Sequence, residues 1–175
     1  MSERPAGQRA ARIMLVLAWI AALALATHWF GGWEEQRANP NRHPESVHGD
    51  DYIEVRLAAG PGGHYLLDGQ IDGNTLTFLL DTGATAVAVP LQVAESLDLP
   101  RGAPVQIRTA NGTVTGWRTR LGMLQLGDIR LQNVEALITP GMDGDQVLLG
   151  MSALKQLEFT QKGGTLVLRQ STSLK

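Results

Sequence analysis

The segment Leu79-Leu80-Asp81-Thr82-Gly83-Ala84-Thr85 carries a carboxylate at the end of an apolar run that starts at Leu76. An apolar strand that ends in an aspartate delivers a charge toward the interior. Such a charge is costly unless it is hydrogen-bonded or used. Thr82 and Thr85 offer hydroxyls, and Gly83 lets backbone approach closely. Beside a second carboxylate, such a group cannot stay ionised together with its neighbour. The pair holds one proton and titrates in two separated steps that belong to the pair. That arrangement can deprotonate a water and protonate a carbonyl oxygen in the same place.

Other routes to bond cleavage find little support. Cysteine is absent, which removes thiolate nucleophiles, cysteine metal sites and disulfides. No HExxH pair and no serine in a Gly-x-Ser-x-Gly elbow occurs. His43 and His48 have a spacing a metal could use. They lie among Asn39-Pro40-Asn41 and Gly49-Asp50-Asp51, a stretch that reads as a linker without the rigid frame a metal needs, so neither a metal nor another cofactor is expected. With 15 basic against 17 acidic residues and no basic cluster, no nucleic-acid partner is expected.

The elements that would position Asp81 are short. Twenty glycines favour tight turns and hairpins over long helices. His64 to Ile71 leads through Asp72-Gly73-Asn74 into the apolar strand Leu76 to Leu80, and Ala86 to Val89 resumes strand character until Pro90. Leu91 to Leu97 suits one or two helical turns. Val105 to Thr109 and Thr113 to Trp117 flank Ala110-Asn111-Gly112 as a hairpin. Leu121 to Leu126 and Leu131 to Ile138 form a second hairpin around Gly127-Asp128. Val147 to Leu149 is a short buried strand ending at Gly150, and Met151 to Leu157 is the best helix candidate. Thr165 to Leu168 is the last strand. Hairpin, apolar strand and short helix thus occur twice, around Asp81 and around Gly150, as in a domain of two similar halves.

This order of motifs resembles the retroviral-type (retropepsin-like) aspartic protease family, particularly its bacterial membrane-anchored members, over about Gly60 to Leu168. The resemblance implies an all-β fold: a closed antiparallel acid-protease barrel with one short C-terminal helix. It makes Asp81 the catalytic residue. Thr82, Gly83 and Thr85 would support the active-site loop. Ala110, Asn111 and Gly112 would form the tip of a flap over the substrate. The activity implied is hydrolysis of peptide bonds in a polypeptide substrate. The chain departs from the retroviral pattern in its N-terminal extension and in the loop Met142-Asp143-Gly144-Asp145. It has one Asp-Thr-Gly, and Asp68, Asp72, Asp98, Asp128, Asp143 and Asp145 all read as turn or loop residues. A two-carboxylate mechanism therefore calls for a symmetric partner, a homodimer. The alternative is a catalytically inactive protease-like domain that binds peptides or acts as a scaffold in the cell envelope.

Ile13 to Phe30 reads IMLVLAWIAALALATHWF, without a formal charge if His28 is neutral. As a helix it would rise about 27 Å, close to the hydrocarbon thickness of a bilayer. Arg4, Arg9 and Arg12 precede it and Glu34 and Glu35 follow it. The positive-inside rule then puts residues 1–12 in the cytoplasm. The expected organisation is a transmembrane helix at 13–30, a linker at 31–60, the protease domain at 61–170 and a tail at 171–175. The protein would sit in the cell inner membrane with the domain on the periplasmic side. A cleaved signal peptide ending near Ala24-Leu25-Ala26 is the other reading, and it also exports the domain.

Overall fold

A computed structural model describes residues 6–109 and 112–172, with the side chains of 6–10 and 30–38 excluded. The chain divides into two units, Met1–Ala38 and Asn39–Lys175. The first is one helix, α1 (Ala6–Ala38). Its stretch Ala11–Trp29 is long and apolar enough to cross a membrane. Ile13, Leu17, Trp19, Leu23 and Trp29 are all exposed on it. Thr27 donates its hydroxyl to the carbonyls of Leu23 and Ala24, both at 3.0 Å, so this polar group is satisfied inside the helix. A helix that is apolar on every side suits a lipid environment. Arg4 lies outside the described residues, as do the side chains of Arg9, Glu34 and Glu35.

The expected linker at 31–60 differs from what is found. The helix runs on to Ala38, through the strong helix formers Glu34, Glu35, Gln36, Arg37 and Ala38. It stops where Pro40 disfavours helical geometry at Asn39. Folded structure begins there. Asn39 and Asn41 are buried. The Asn39 side-chain amide donates to Asp68 at 2.8 Å. The Asn41 amide donates to the carbonyls of Ala58 and Leu66 and accepts the Ala58 N–H at 2.7 Å. A sequence that reads as linker is thus pinned by side-chain mimicry of strand hydrogen bonds.

The second unit is mostly β and, as expected, mostly antiparallel. Strands β1 (Ser46–His48), β2 (Tyr52–Ala58), β10 (Glu158–Lys162) and β11 (Thr165–Ser171) form one sheet in the order β1-β2-β11-β10. The other sheet holds β3 (Leu66–Ile71), β4 (Asn74–Leu80), β5 (Val87–Pro90), β6 (Pro104–Thr109), β7 (Gly112–Leu126), β8 (Ile129–Thr139) and β9 (Val147–Leu149) in the order β3-β4-β9-β5-β8-β7-β6. A short pairing of β3 with β7, Gln70 to Gln125 and Ile71 to Leu124, links the first strand of that order to the sixth. Two pairings are parallel, β4 with β9 and β5 with β8. Long excursions of chain separate these partners, as parallel pairing requires. The core between the sheets is Val55, Leu57, Leu67, Phe78, Leu121, Leu124, Leu126, Ile129, Leu149, Leu166 and Leu168, each nearly or wholly inaccessible. Two short helices complete the unit: α2 (Leu91–Ser96) and α3 (Met151–Leu154). Turn hydrogen bonds follow α3 as far as Leu157, so the helix itself is shorter than the expected Met151 to Leu157.

Candidate active site

Asp81 follows the last residue of β4. The strand lies between β3 and β9, and its parallel register pairs Leu80 with Leu149. The Asp81 N–H donates to the Leu149 carbonyl at 3.2 Å, so the carboxylate leaves the sheet at a fixed point. The chain then turns sharply: the Ala84 N–H donates to the Asp81 carbonyl at 3.3 Å. The Gly83 N–H donates to Asp81 Oδ1 at 2.8 Å. This hydrogen bond orients the carboxylate on the turn.

A second layer clamps this turn from behind. The Met151 N–H donates to the Ala84 carbonyl at 2.8 Å. A Cβ on Gly150 would meet the carbonyls of Ala86 and Ala84 inside contact distance, so the two backbones touch only because that position is glycine. Ser152 is buried and acts as a peg. It accepts the Val87 N–H at 2.9 Å and donates to the Glu135 carbonyl at 2.7 Å, tying the start of β5 to β8. Sequence reasoning misses Ser152, whose partners lie 65 and 17 residues away. The one available signal is its place just after the apolar strand and glycine at 147–150.

Within one protomer the carboxylate is less enclosed than the apolar run suggests. Asp81 is half-buried, and Thr82, Gly83 and Thr85 are exposed. The reason is that Leu79 and Leu80 are themselves only half-buried, so the strand is already leaving the core when it reaches the aspartate. The structure brings Gly83 to the carboxylate through its backbone. The side chains of Thr82 and Thr85 stand outward on the same loop. A cleft of about 330 Å³, lined by Pro100, Arg101, Thr119 and Glu135 among others, touches this segment at Ala86 and does not include the carboxylate.

β6 and the first half of β7 form the expected hairpin, Pro104 opposite Trp117 through Thr109 opposite Gly112. Ala110 and Asn111 lie outside the described residues. Gly112 opens β7 with φ of 116°, and the Thr109 hydroxyl donates to its carbonyl at 2.9 Å. The hairpin's side chains are exposed or half-buried. At its base the guanidinium of Arg101 stacks on Trp117 at 4.8 Å and pairs with Glu95 of α2. Among the described residues no three His, Cys, Asp or Glu side chains come together as a metal site. His48 instead lies 3.5 Å from Asp128 on the surface.

The chain is similar to known proteins in sequence and in fold. The chain is 34% identical over 111 residues to an uncharacterised protein in the cobV 5′ region of Sinorhizobium. The match covers 62% of this chain and 48% of that one, so the chain aligns with about half the length of this curated relative. Its fold matches a retropepsin-like aspartic protease from Rickettsia conorii with a TM-score of 0.59 at 22% identity, over 73% of this chain and 98% of that structure. The family model of the gag-polyprotein putative aspartyl proteases matches residues 67–156, just over half of the 175 residues, a span that contains Asp81, the hairpin and Ser152. By that match and by its fold, this chain belongs to the retropepsin-like aspartic protease family.

Proposed function

We propose that the protein is an aspartic endopeptidase in which Asp81 works with Asp81 of a second copy. The observation that carries this reading is the exposed, rigidly framed Asp81 turn. One carboxylate is held by the Gly83 N–H at the end of β4, on a loop whose outer face is open to solvent. One such group is half of an acid–base pair. A two-fold partner would bring a second carboxylate to the first, and close carboxylates hold one proton between them. The ionised member takes a proton from the attacking water, and the protonated member hydrogen-bonds the carbonyl oxygen of the peptide. Thr82 and Thr85, exposed on that loop, would brace it against its copy. The hairpin at 104–117 covers an extended polypeptide, and its exposed faces leave it free to open and close. The apolar stretch Ala11–Trp29 supports anchoring in the inner membrane, with the domain on the periplasmic side.

The test is cleavage of an unfolded polypeptide by the wild-type chain and by Asp81→Asn. The variant should keep its fold and lose at least about 100-fold in rate, the lower range for losing an acid–base group. Adding Asp81→Asn chains to wild type, under conditions where subunits exchange, should lower activity faster than the wild-type fraction falls. Full activity in Asp81→Asn would overturn the catalytic role. Strict proportionality on mixing, with mixed dimers shown to form, would overturn the shared site.

A further inference from the structure

The cleft that touches the Asp81 segment at Ala86 is basic, in a chain whose net charge is -2. Arg101, Arg118 and Arg120 line it against one carboxylate, Glu135. Two of the arginines are partly engaged. Arg101 stacks on Trp117 and pairs with Glu95. Arg120 donates to the Asn133 carbonyl at 3.3 Å and lies 3.8 Å from Glu135. Arg118 has no ion pair and no side-chain hydrogen bond among the described residues. It is the cation the cleft leaves on offer.

The backbone holds Arg118 in place. Its N–H donates to the Ala103 carbonyl at 3.0 Å, and its carbonyl accepts the Gly102 N–H at 2.8 Å. A Cβ on Gly102 would meet that carbonyl at 2.7 Å, so the loop approaches β7 this closely only with glycine there. Alternation along β7 puts Arg118 and Arg120 on the face opposite buried Leu121. Cross-strand pairing sets them beside Leu137 and Glu135 of β8. β5 runs parallel to β8 with Val87 opposite Ala136, which brings Ala86 to the same wall. Ser152 ties Val87 to the Glu135 carbonyl, so the peg behind the Asp81 turn also fixes the cleft.

We propose that this cleft is a specificity site that selects an acidic side chain of the polypeptide substrate, with Arg118 as the residue that recognises it. The inference rests on the proteolytic reading of the preceding section and names a substrate class for it. The cleft opens at the base of the hairpin at 104–117, between the strand that follows Asp81 and the loop that precedes β6. A polypeptide lying under that hairpin and past Asp81 leaves the site here. Ala86 is five residues beyond Asp81, a span of at most about 17 Å. An extended substrate advances roughly 3.3 Å per residue, so the selected residue falls within about five residues of the cleaved bond. Pro100 and Leu137 give the cleft an apolar part for the methylene groups of a glutamate or aspartate. The planar guanidinium fork of Arg118 matches the two oxygens of its carboxylate. A two-fold pair carries the cleft twice, so the preference should appear on both sides of the bond.

The test uses the full chain in phosphatidylcholine vesicles and a pool of unfolded proteome-derived peptides, with cleavage positions read by mass spectrometry. Wild type should favour Asp or Glu at a fixed position within about five residues of the bond. In matched fluorogenic peptides, Glu at that position should raise kcat/KM at least about tenfold over Gln, the lower range for a hydrogen bond to a charged group. Arg118→Gln should bring that ratio close to one. Arg118→Glu should invert it and favour Lys, a gain that a damaged fold would not produce. Cleavage by wild type without any acidic preference overturns the inference and leaves the protease standing, as does a Glu-to-Gln ratio unchanged in Arg118→Gln. Preference found only where the peptide's own C-terminus falls at that position assigns Arg118 to a terminal carboxylate and overturns the side-chain reading. If wild type cleaves nothing, the proposed function fails, and retention of the same pool on the full chain decides the cleft. Acidic peptides held by wild type and lost by Arg118→Gln keep it; equal retention removes it.

Discussion

Gly150 has no room for a side chain. A methyl group there would press on the carbonyl of Ala86, which is backbone and cannot swing aside. Gly150→Ala should therefore cost about 1–3 kcal/mol by overpacking and should move the Asp81 loop with it. Thermal unfolding measures the first effect and cleavage rate the second. An alanine variant as stable and active as wild type would show that the contact is not tight. Ser152→Ala tests the other clamp. It leaves the buried Val87 N–H without an acceptor, a loss of about 1–3 kcal/mol. Asp81→Asn is the contrast: on the proposed reading this half-buried loop carboxylate serves chemistry, so its loss should cost activity and little stability. At this scale the sequence is uneven. Asp81 is legible because its signal is local: an apolar strand, then Asp-Thr-Gly. Ser152 is not, because nothing within several residues of it shows that it will meet Val87 and Glu135. The degree of burial at Asp81 is also hidden. Alternation of residue types says which side of a strand is apolar, not where the strand leaves the core.

Sheets in this molecule are read well where they alternate or are wholly apolar, and poorly where they do neither. β4, the hairpin at 104–117 and β9 stand out for the first reason. β2 alternates over Tyr52 to Leu57, yet its place between β1 and β11 depends on a partner more than 100 residues later. β10 has one large apolar residue, Phe159, and no buried face to impose a pattern, so the sequence passes over it. The Asn39–Asn41 segment reads as linker for a similar reason, since polar residues that replace strand hydrogen bonds look like polar residues in a loop. β2 and β11 also hold the unusual carboxylate of the structure. Glu54 is buried on the sheet and accepts hydrogen bonds from Arg169 and Arg56, each at 2.8 Å. The bond from Arg169 and then that from Arg56 hold its carboxyl below the ordinary 4.5, against the desolvation that would raise it. A folded-state value below the unfolded one stabilises the protein above the unfolded value and is lost as pH falls through the folded one. Wild type should thus be more stable than Glu54→Gln at neutral pH, and the gap should narrow as pH drops below about 4.5. Melting curves of the two proteins across pH 7 to 3 check the sign, and a gap that stays constant or widens would rule out the ion pairs as its source.

For the whole molecule the proposed two-copy site raises the question of how it would be switched on. The helix Ala6–Ala38 ends directly at Asn39, the first buried residue of the protease unit, so the apolar stretch Ala11–Trp29 and the folded unit are covalently close. Chains held in a bilayer meet in two dimensions at a raised effective concentration. If the proposed dimer is weak and the chain is confined to a membrane, activity becomes a matter of surface density. The full chain in vesicles should keep its specific activity when the suspension is diluted with buffer, since the density in each membrane is unchanged. It should lose activity when the same protein is spread over more lipid. The fragment Asn39–Lys175, free in solution, should lose activity on simple dilution and regain it when tethered to a lipid surface. Such a fragment is a fair comparison, because Asn39–Lys175 is a compact unit of its own. Cleavage of a fluorogenic peptide, followed at several protein-to-lipid ratios, gives the measurement. A rate per chain that does not change with lipid would mean that each chain, or a dimer too tight to dissociate, is already complete, and the membrane would then serve location rather than assembly.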